Sequence, residues 1–250
     1  VDLNNDGYMD IVSGKYLPND ITWFKGSKKG FEKGIIIKEK RNKSNSEDSF
    51  YISVPCFADI DGDKDLDLFV STAESNGAIL FNRNIGSPEK PKYKTRNFLF
   101  TIKGDTIKAS CLSFAIVDWD NDNILDIIST KGYLEESGVG SFIYYKGLGN
   151  ERFESAVPIP IPIAWTIGIK NEKNKRAVPG SYWGYKICVT DWNNDGKTDL
   201  LIGSGILYKN GKPFDKLNNL TGDAYSQLIN NITTYQEIQE CGVIYLLLGQ

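Results

Sequence analysis

One nine-residue pattern constrains this chain more than anything else in it. Asp-x-(Asp/Asn)-x-Asp-x-x-x-Asp occurs at Asp2–Asp10, Asp59–Asp67, Asp118–Asp126 and Asp191–Asp199, so the copies start 57, 59 and 73 residues apart. Repetition at such a period marks a chain built from similar units that must cover one another's apolar faces. Each copy runs straight into a short apolar, β-branched segment: Ile11-Val12, Leu68–Val70, Ile127-Ile128 and Leu200–Ile202. A second echo follows at Ile21–Phe24, Ala78–Phe81, Phe142–Tyr145 and Val243–Leu246, and a looser third begins at Phe31, Tyr93 and Phe153. Three copies are preceded by a further apolar stretch, at Ile52–Ala58, Cys111–Val117 and Tyr185–Thr190. About four strands per unit of roughly sixty residues is the size of a propeller blade, and too short for a two-sheet sandwich of roughly 100 residues.

The acidic segments place side-chain oxygens at positions 1, 3, 5 and 9 of a tight loop, and the carbonyl of position 7 can join them. Such a set of hard oxygens suits Ca²⁺ better than Mg²⁺, which keeps several of its waters. An ordinary acidic turn fits poorly, because three to five carboxylates within nine residues repel one another unless a cation neutralises them. A helix-flanked calcium loop needs a Glu at position 12 and a helix afterwards. Position 12 is Ser13, Val70, Ser129 or Ile202, and β-type sequence follows, so that reading fails.

Loop, following strand and period together resemble the FG-GAP/VCBS repeat family, whose blades also build the integrin α-subunit propeller. The resemblance spans nearly the whole chain. It implies calcium ligands at Asp2, Asn4, Asp6 and Asp10; at Asp59, Asp61, Asp63 and Asp67; at Asp118, Asp120, Asp122 and Asp126; and at Asp191, Asn193, Asp195 and Asp199. Carbonyls of Tyr8, Asp65, Ile124 and Lys197 would add one ligand to each of up to four ions. Position 6 departs from uniformity, being Gly7 and Gly196 in two copies but Lys64 and Asn123 in the others. If it needs a left-handed backbone, Asn accepts it and Lys does so at a cost.

Composition narrows the chemistry. The 250 residues include no histidine, which removes Ser-His-Asp and Cys-His nucleophile activation and His-ligated zinc. The net charge of −3 gives no reason to expect a nucleic-acid partner. The loops hold fifteen of the 32 acids and only Lys64 and Lys197 of the 29 bases, so the remainder is basic and suited to anionic glycans. Cys56, Cys111, Cys188 and Cys241 form no CxxC pair. Cys56 and Cys188 stand at matching points before acidic loops and are expected as buried free thiols. No apolar run approaches the ~20 residues of a transmembrane helix, and the first residue is Val1 rather than Met.

The expected architecture is therefore all-β: a β-propeller region over 1–250, with blade repeats near 1–40, 50–103, 110–160 and 184–250. The outer blades read as incomplete, and the resemblance implies a ring of about seven blades, so the chain is expected to be part of such a ring, its neighbours being the other blades of the same protein; a complete four-bladed ring is the weaker alternative. Two stretches break the repeat. One is a helical insertion near 215–241, where Asp223 caps, Tyr225, Leu228, Ile229, Ile232 and Tyr235 keep helical spacing, and Gly242 ends the helix. The other is Val157–Gly184, with Trp165, Tyr182 and Trp183 as candidate ligand contacts on a face away from the acidic loops. Trp119 and Trp192, inside the loops, are expected to pack between blades. The functional expectation is a non-catalytic, calcium-binding module of a secreted or cell-surface protein, for adhesion or for binding a glycan or protein. The alternative is the propeller of an extracellular polysaccharide-degrading enzyme such as a lyase; a purely structural spacer is a third reading.

Overall fold

The computed structural model describes residues 1–15, 20–37, 53–72, 77–94, 97–109, 113–130, 142–159, 186–209, 212–213 and 238–247. These form fifteen strands and, among the described residues, no helix. They divide into two compact units, Val1–Ser129 with Tyr144–Val157, and Thr130–Ile143 with Pro158–Gln250.

Each acidic loop opens into the second strand of an antiparallel sheet, except the first loop, which opens into the first strand of its sheet. Sheet one has the order β1 (Ile11–Gly14), β2 (Ile21–Phe24), β3 (Ile35–Ile36). Sheet two runs β4 (Ser53–Ala58), β5 (Asp67–Thr72), β6 (Ile79–Asn82), β7 (Asn97–Phe98). Sheet three repeats it with β8 (Phe114–Val117), β9 (Asp126–Thr130), β10 (Phe142–Tyr145) and β11 (Val157–Ile159). In sheet four β12 (Lys186–Thr190) pairs β13 (Asp199–Lys209), whose other edge carries β15 (Ile238–Leu247). The short β14 (Lys212–Pro213) pairs the far end of β13.

The strands that follow the second and third loops are buried on both faces, and the one after the fourth is buried at Leu200 and Ile202. Leu68, Phe69, Val70, Ile127, Ile128 and Leu200 are all fully buried. This is why they read as continuous apolar runs rather than as alternating strands. Each such side chain contributes roughly 1.5–3 kcal/mol by leaving water. Ile21 of sheet one packs with Leu68, Val70 and Leu80 of sheet two and with Tyr93 in one cluster, against which Val12 and Phe57 lean. The backbones meet as well: Ser53 donates its N–H to the Lys15 carbonyl at 3.1 Å. A Cβ on Gly14 would overlap the Ser53 carbonyl oxygen, so this approach requires glycine.

Two sequence expectations need correction. The expected helix reached 241, but Ile238–Leu247 is strand and Gly242, its supposed end, lies opposite Gly205 in the ladder. The β-branched and aromatic residues of Ile238–Leu247 find a long partner in β13, and that ladder satisfies their backbone. Residues 215–237 lie outside the described residues, as do Trp165, Tyr182 and Trp183. The second echo was also framed one residue early in two copies. Ile11 lies opposite Phe24, Leu68 opposite Asn82 and Leu200 opposite Leu247, so β2 matches Ile79–Asn82 and residues 244–247. Asn82 hid this frame, being a fully buried amide at a position that is apolar or aromatic in the other copies; it donates to the Leu68 carbonyl at 3.3 Å. Trp192 is 62% exposed, whereas Trp119 is half-buried.

Cys56 and Cys188 are free and do occupy matching positions, opposite Phe69 and Leu201. Cys56 is nevertheless only half-buried and Cys188 is exposed, against the expectation of two buried thiols. The sulfur of Cys56 is desolvated enough to push its thiol up to about 11, which leaves it protonated and unreactive at neutral pH.

Candidate metal centres

All four acidic loops close through the same hydrogen bonds. The position-1 carboxylate accepts the backbone N–H groups of positions 5 and 6: Asp2 from Asp6 and Gly7, Asp59 from Asp63 and Lys64, Asp118 from Asp122 and Asn123, Asp191 from Asp195 and Gly196. The position-5 carboxylate accepts the N–H of position 7 at 2.9–3.0 Å, Asp6 from Tyr8, Asp63 from Asp65, Asp122 from Ile124 and Asp195 from Lys197. These bonds fold the loop inward. They demand a left-handed backbone at position 6, where φ is +85° at Gly7, +73° at Lys64, +67° at Asn123 and +84° at Gly196. They demand it at position 4 as well, filled by Asn5, Gly62, Asn121 and Asn194. The restriction of that position to Asn and Gly was visible in the sequence and is the signal that went unread.

Position 9 has a different task. Asp10, Asp67, Asp126 and Asp199 are all buried. In three copies one carboxylate oxygen accepts the N–H of position 2, from Leu3, Trp119 or Trp192, at 2.8–2.9 Å. In three copies the other oxygen accepts an N–H just past the next strand, from Gly26, Asn84 or Gly147, at 2.6–2.7 Å. The side chain thus staples the start of the loop to the strand beyond it.

A family model for the FG-GAP-like repeat matches residues 2–70 and 59–129, just over half of the chain. The chain belongs to this family. No curated protein matches it. The matched FG-GAP segments contain the first three loops, and the fourth, at 191–199, repeats their hydrogen bonds.

The donor set of the FG-GAP loops fits a hard divalent cation. Carboxylate oxygens of Asp59, Asp61 and Asp63 all lie within 4.8 Å of one another, as do those of Asp118, Asp120 and Asp126. Oxygens on a common calcium at about 2.3–2.6 Å stand at such separations. In the second loop Asp65, only 6% exposed, has one carboxylate oxygen without a hydrogen-bond partner, and Asn4 Oδ1 in the first loop also has none. Burial, then Asp63 and Asp61, pushes the Asp65 carboxyl up to about 6. Burial pushes Asp67 up to about 7 against the N–H of Asn84. Burial raises Asp126 too. Burial thus disfavours the charged forms of Asp65, Asp67 and Asp126 in the folded chain.

Position 3 divides the loops into two kinds. Where it is Asn, its own amide donates to the position-5 carboxylate, Asn4 to Asp6 at 2.7 Å and Asn193 to Asp195 at 2.8 Å. That bond is the main reason the Asp195 carboxyl is held below its usual range. Where position 3 is Asp, a base from the neighbouring strand arrives instead. Arg83 reaches Asp61 at 2.7 Å and also pairs with Glu151. Lys146 pairs with Asp120 and, at 2.6 Å, with Asp122, and Tyr144 donates its hydroxyl to Asp120 at 3.3 Å. Lys146 holds the Asp122 carboxyl low, and the two carboxylates hold the Lys146 ammonium above its ordinary value.

Arg83 and Lys146 were missed in the sequence. They are equivalent residues, since each immediately precedes the residue whose N–H binds the position-9 carboxylate. Lys25 stands there in the first copy. All three follow an aromatic by two residues: Trp23, Phe81 and Tyr144. That spacing was the available signal.

Proposed function

We propose that this chain is a non-catalytic, calcium-binding β-propeller module of a secreted or cell-surface protein, used to bind a glycan or protein ligand in adhesion or recognition. The observation that carries the calcium reading is the common closure of four loops around carboxylate and carboxamide oxygens, with oxygens of Asp59, Asp61 and Asp63, and of Asp118, Asp120 and Asp126, within 4.8 Å of one another. Asp2, Asn4, Asp6 and Asp10, with their counterparts at 59–67, 118–126 and 191–199, would hold the ions, and the carbonyls of Tyr8, Asp65, Ile124 and Lys197 would complete them. Calcium there supplies the positive charge that lets these carboxylates crowd. The chain's own part is to preform the loops, through the left-handed residues at positions 4 and 6 and the staple at position 9.

The propeller reading is supported by how successive sheets meet in the first unit. β1 lies beside β4 and β4 beside β8, so the leading strands of three sheets follow one another. The Ile21–Leu68–Val70–Leu80 cluster covers the faces that sheets one and two cannot cover alone. All described strands fall within blade repeats of 1–40, 50–103, 110–160 and 184–250. The secreted or surface location is an inference from the family, whose loops would find abundant calcium outside cells. No helix among the described residues is long and apolar enough to cross a membrane.

Isothermal titration of chelator-stripped protein tests the metal half of the reading. Uptake of calcium with release of the loops' mutual repulsion supports it, and absence of uptake at millimolar calcium refutes it. Binding of the calcium-loaded chain to an array of sulfated and carboxylated glycans tests the ligand half.

A further inference from the structure

Two of the four loops come with a cation of their own. We infer that Lys146, and Arg83 at the same position of the second copy, are tethered counter-cations that stand on the position-3 carboxylate of the ion-free loop and leave it when a divalent cation enters. Uptake in the third and second loops is then an exchange of one cation for another, whereas in the fourth loop it is a simple addition. The inference rests on the calcium reading above.

Three observations support it. First, the contacts go to the would-be ligands themselves: Lys146 to Asp120 and Asp122, Arg83 to Asp61. An ammonium or guanidinium and a divalent ion cannot share those oxygens without repulsion. Second, the base reaches the loop only where position 3 is acidic. In the first copy position 3 is Asn4, and the equivalent Lys25 lies instead over the Trp23 ring, 4.6 Å from its centre. In the fourth copy position 3 is Asn193, and Leu247, which lies opposite Leu200, is followed in the sequence by a leucine rather than a base. The first copy is the informative case, since it has the base and lacks the position-3 acid.

Third, the strand offers the displaced base another seat. Residues two apart on a strand share a face, so the aromatic two residues earlier lies on the same side as the base. Lys25 already uses this seat, and the Arg83 guanidinium lies 6.0 Å from the Phe81 ring centre. Cation–aromatic attraction holds a base there without a carboxylate. Arg83 also keeps Glu151 as a partner after releasing Asp61. Arg83 therefore has other partners to hold when it leaves the loop.

The test is calcium titration calorimetry on the whole chelator-stripped chain, comparing the parent with Lys146→Met and Lys146→Arg. Lys146→Met should tighten one site about three- to fivefold, the size expected from removing a partly exposed ion pair, and should lower the melting temperature in chelator. Lys146→Arg should follow the parent. The tightening should vanish in a background carrying Asp120→Asn and Asp122→Asn, which locates it in the third loop. Arg83→Met reads the same effect in the second loop, independently of how Lys146→Met folds. Unchanged or weaker calcium affinity in both Met variants overturns the exchange, as does tightening that persists in the Asn background. If neither parent nor variants take up calcium, the calcium reading itself is overturned, a result distinct from uptake that ignores Lys146.

Discussion

Removing the buried staple of the third loop separates the protein's own architecture from any contribution of metal. Asp126 is fully buried, and its two oxygens accept the N–H groups of Trp119 at 2.9 Å and Gly147 at 2.7 Å. Asp126→Ala leaves both donors without their acceptor. Hydrogen bonds to a charged group contribute about 1.5–3 kcal/mol each. Part of this is offset, because burial disfavours the Asp126 carboxylate in the folded chain. A net loss of about 3 kcal/mol follows, which lowers the apparent melting temperature by roughly 6–12 °C in a protein of this size. Asp126→Asn retains one oxygen and should lose about half as much. The assay is thermal unfolding followed by circular dichroism, run in chelator. There the staple still acts, whereas a residue that matters only as a metal ligand does not. If Asp126→Ala melts within about 1 °C of the parent in chelator, the staple contributes nothing and the reasoning fails.

Other expectations follow from the second loop. Asp63→Ala should lower the melting temperature in calcium and shrink the gap between calcium and chelator, because ion binding at a hundredfold excess over Kd stabilises by about 2.7 kcal/mol; Glu32→Ala, outside the loops, should change neither. Lys64→Gly, at a φ of +73°, should raise the melting temperature in calcium by roughly 1–3 °C, and a fall would show that the lysine side chain stabilises the loop. Asp65 and Asp67 have folded pKa values raised to about 6 and 7, so the fold favours their neutral forms. Their stabilising effect is complete below the ordinary carboxylate pKa near 4 and is lost as pH rises to about 7. In chelator, stability should therefore fall as pH rises from 4 to 7, a trend that calcium abolishes. A melting temperature in chelator that is flat or rises over this range would contradict the account.

The sequence carried the loops clearly because their chemistry is local. Nine contiguous residues contain the position-1, position-5 and left-handed sites, and repetition made them stand out. The strands were legible for a related reason: Leu68–Val70 and Ile127-Ile128 are buried on both faces and show as unbroken apolar runs. What was lost is long-range. The partner of Asp126 is Gly147 and the partner of Asp120 is Lys146, residues brought close only by the register of neighbouring strands. That register was misread by one residue where the buried Asn82 broke the apolar echo. Residues 238–241 were read as helix for the same reason, since their strand conformation is set by the ten-residue ladder with β13 rather than by their own spacing, whereas Val243–Leu246 was read as strand.

Native mass spectrometry of the chelator-stripped chain, titrated with calcium, tests the central claim most directly when the parent is set beside a variant carrying Asp6→Asn, Asp63→Asn, Asp122→Asn and Asp195→Asn. The account predicts stepwise uptake of one calcium per loop by the parent and loss of those ions in the variant. A parent that binds no calcium, or a variant that binds as many ions as the parent, would contradict it.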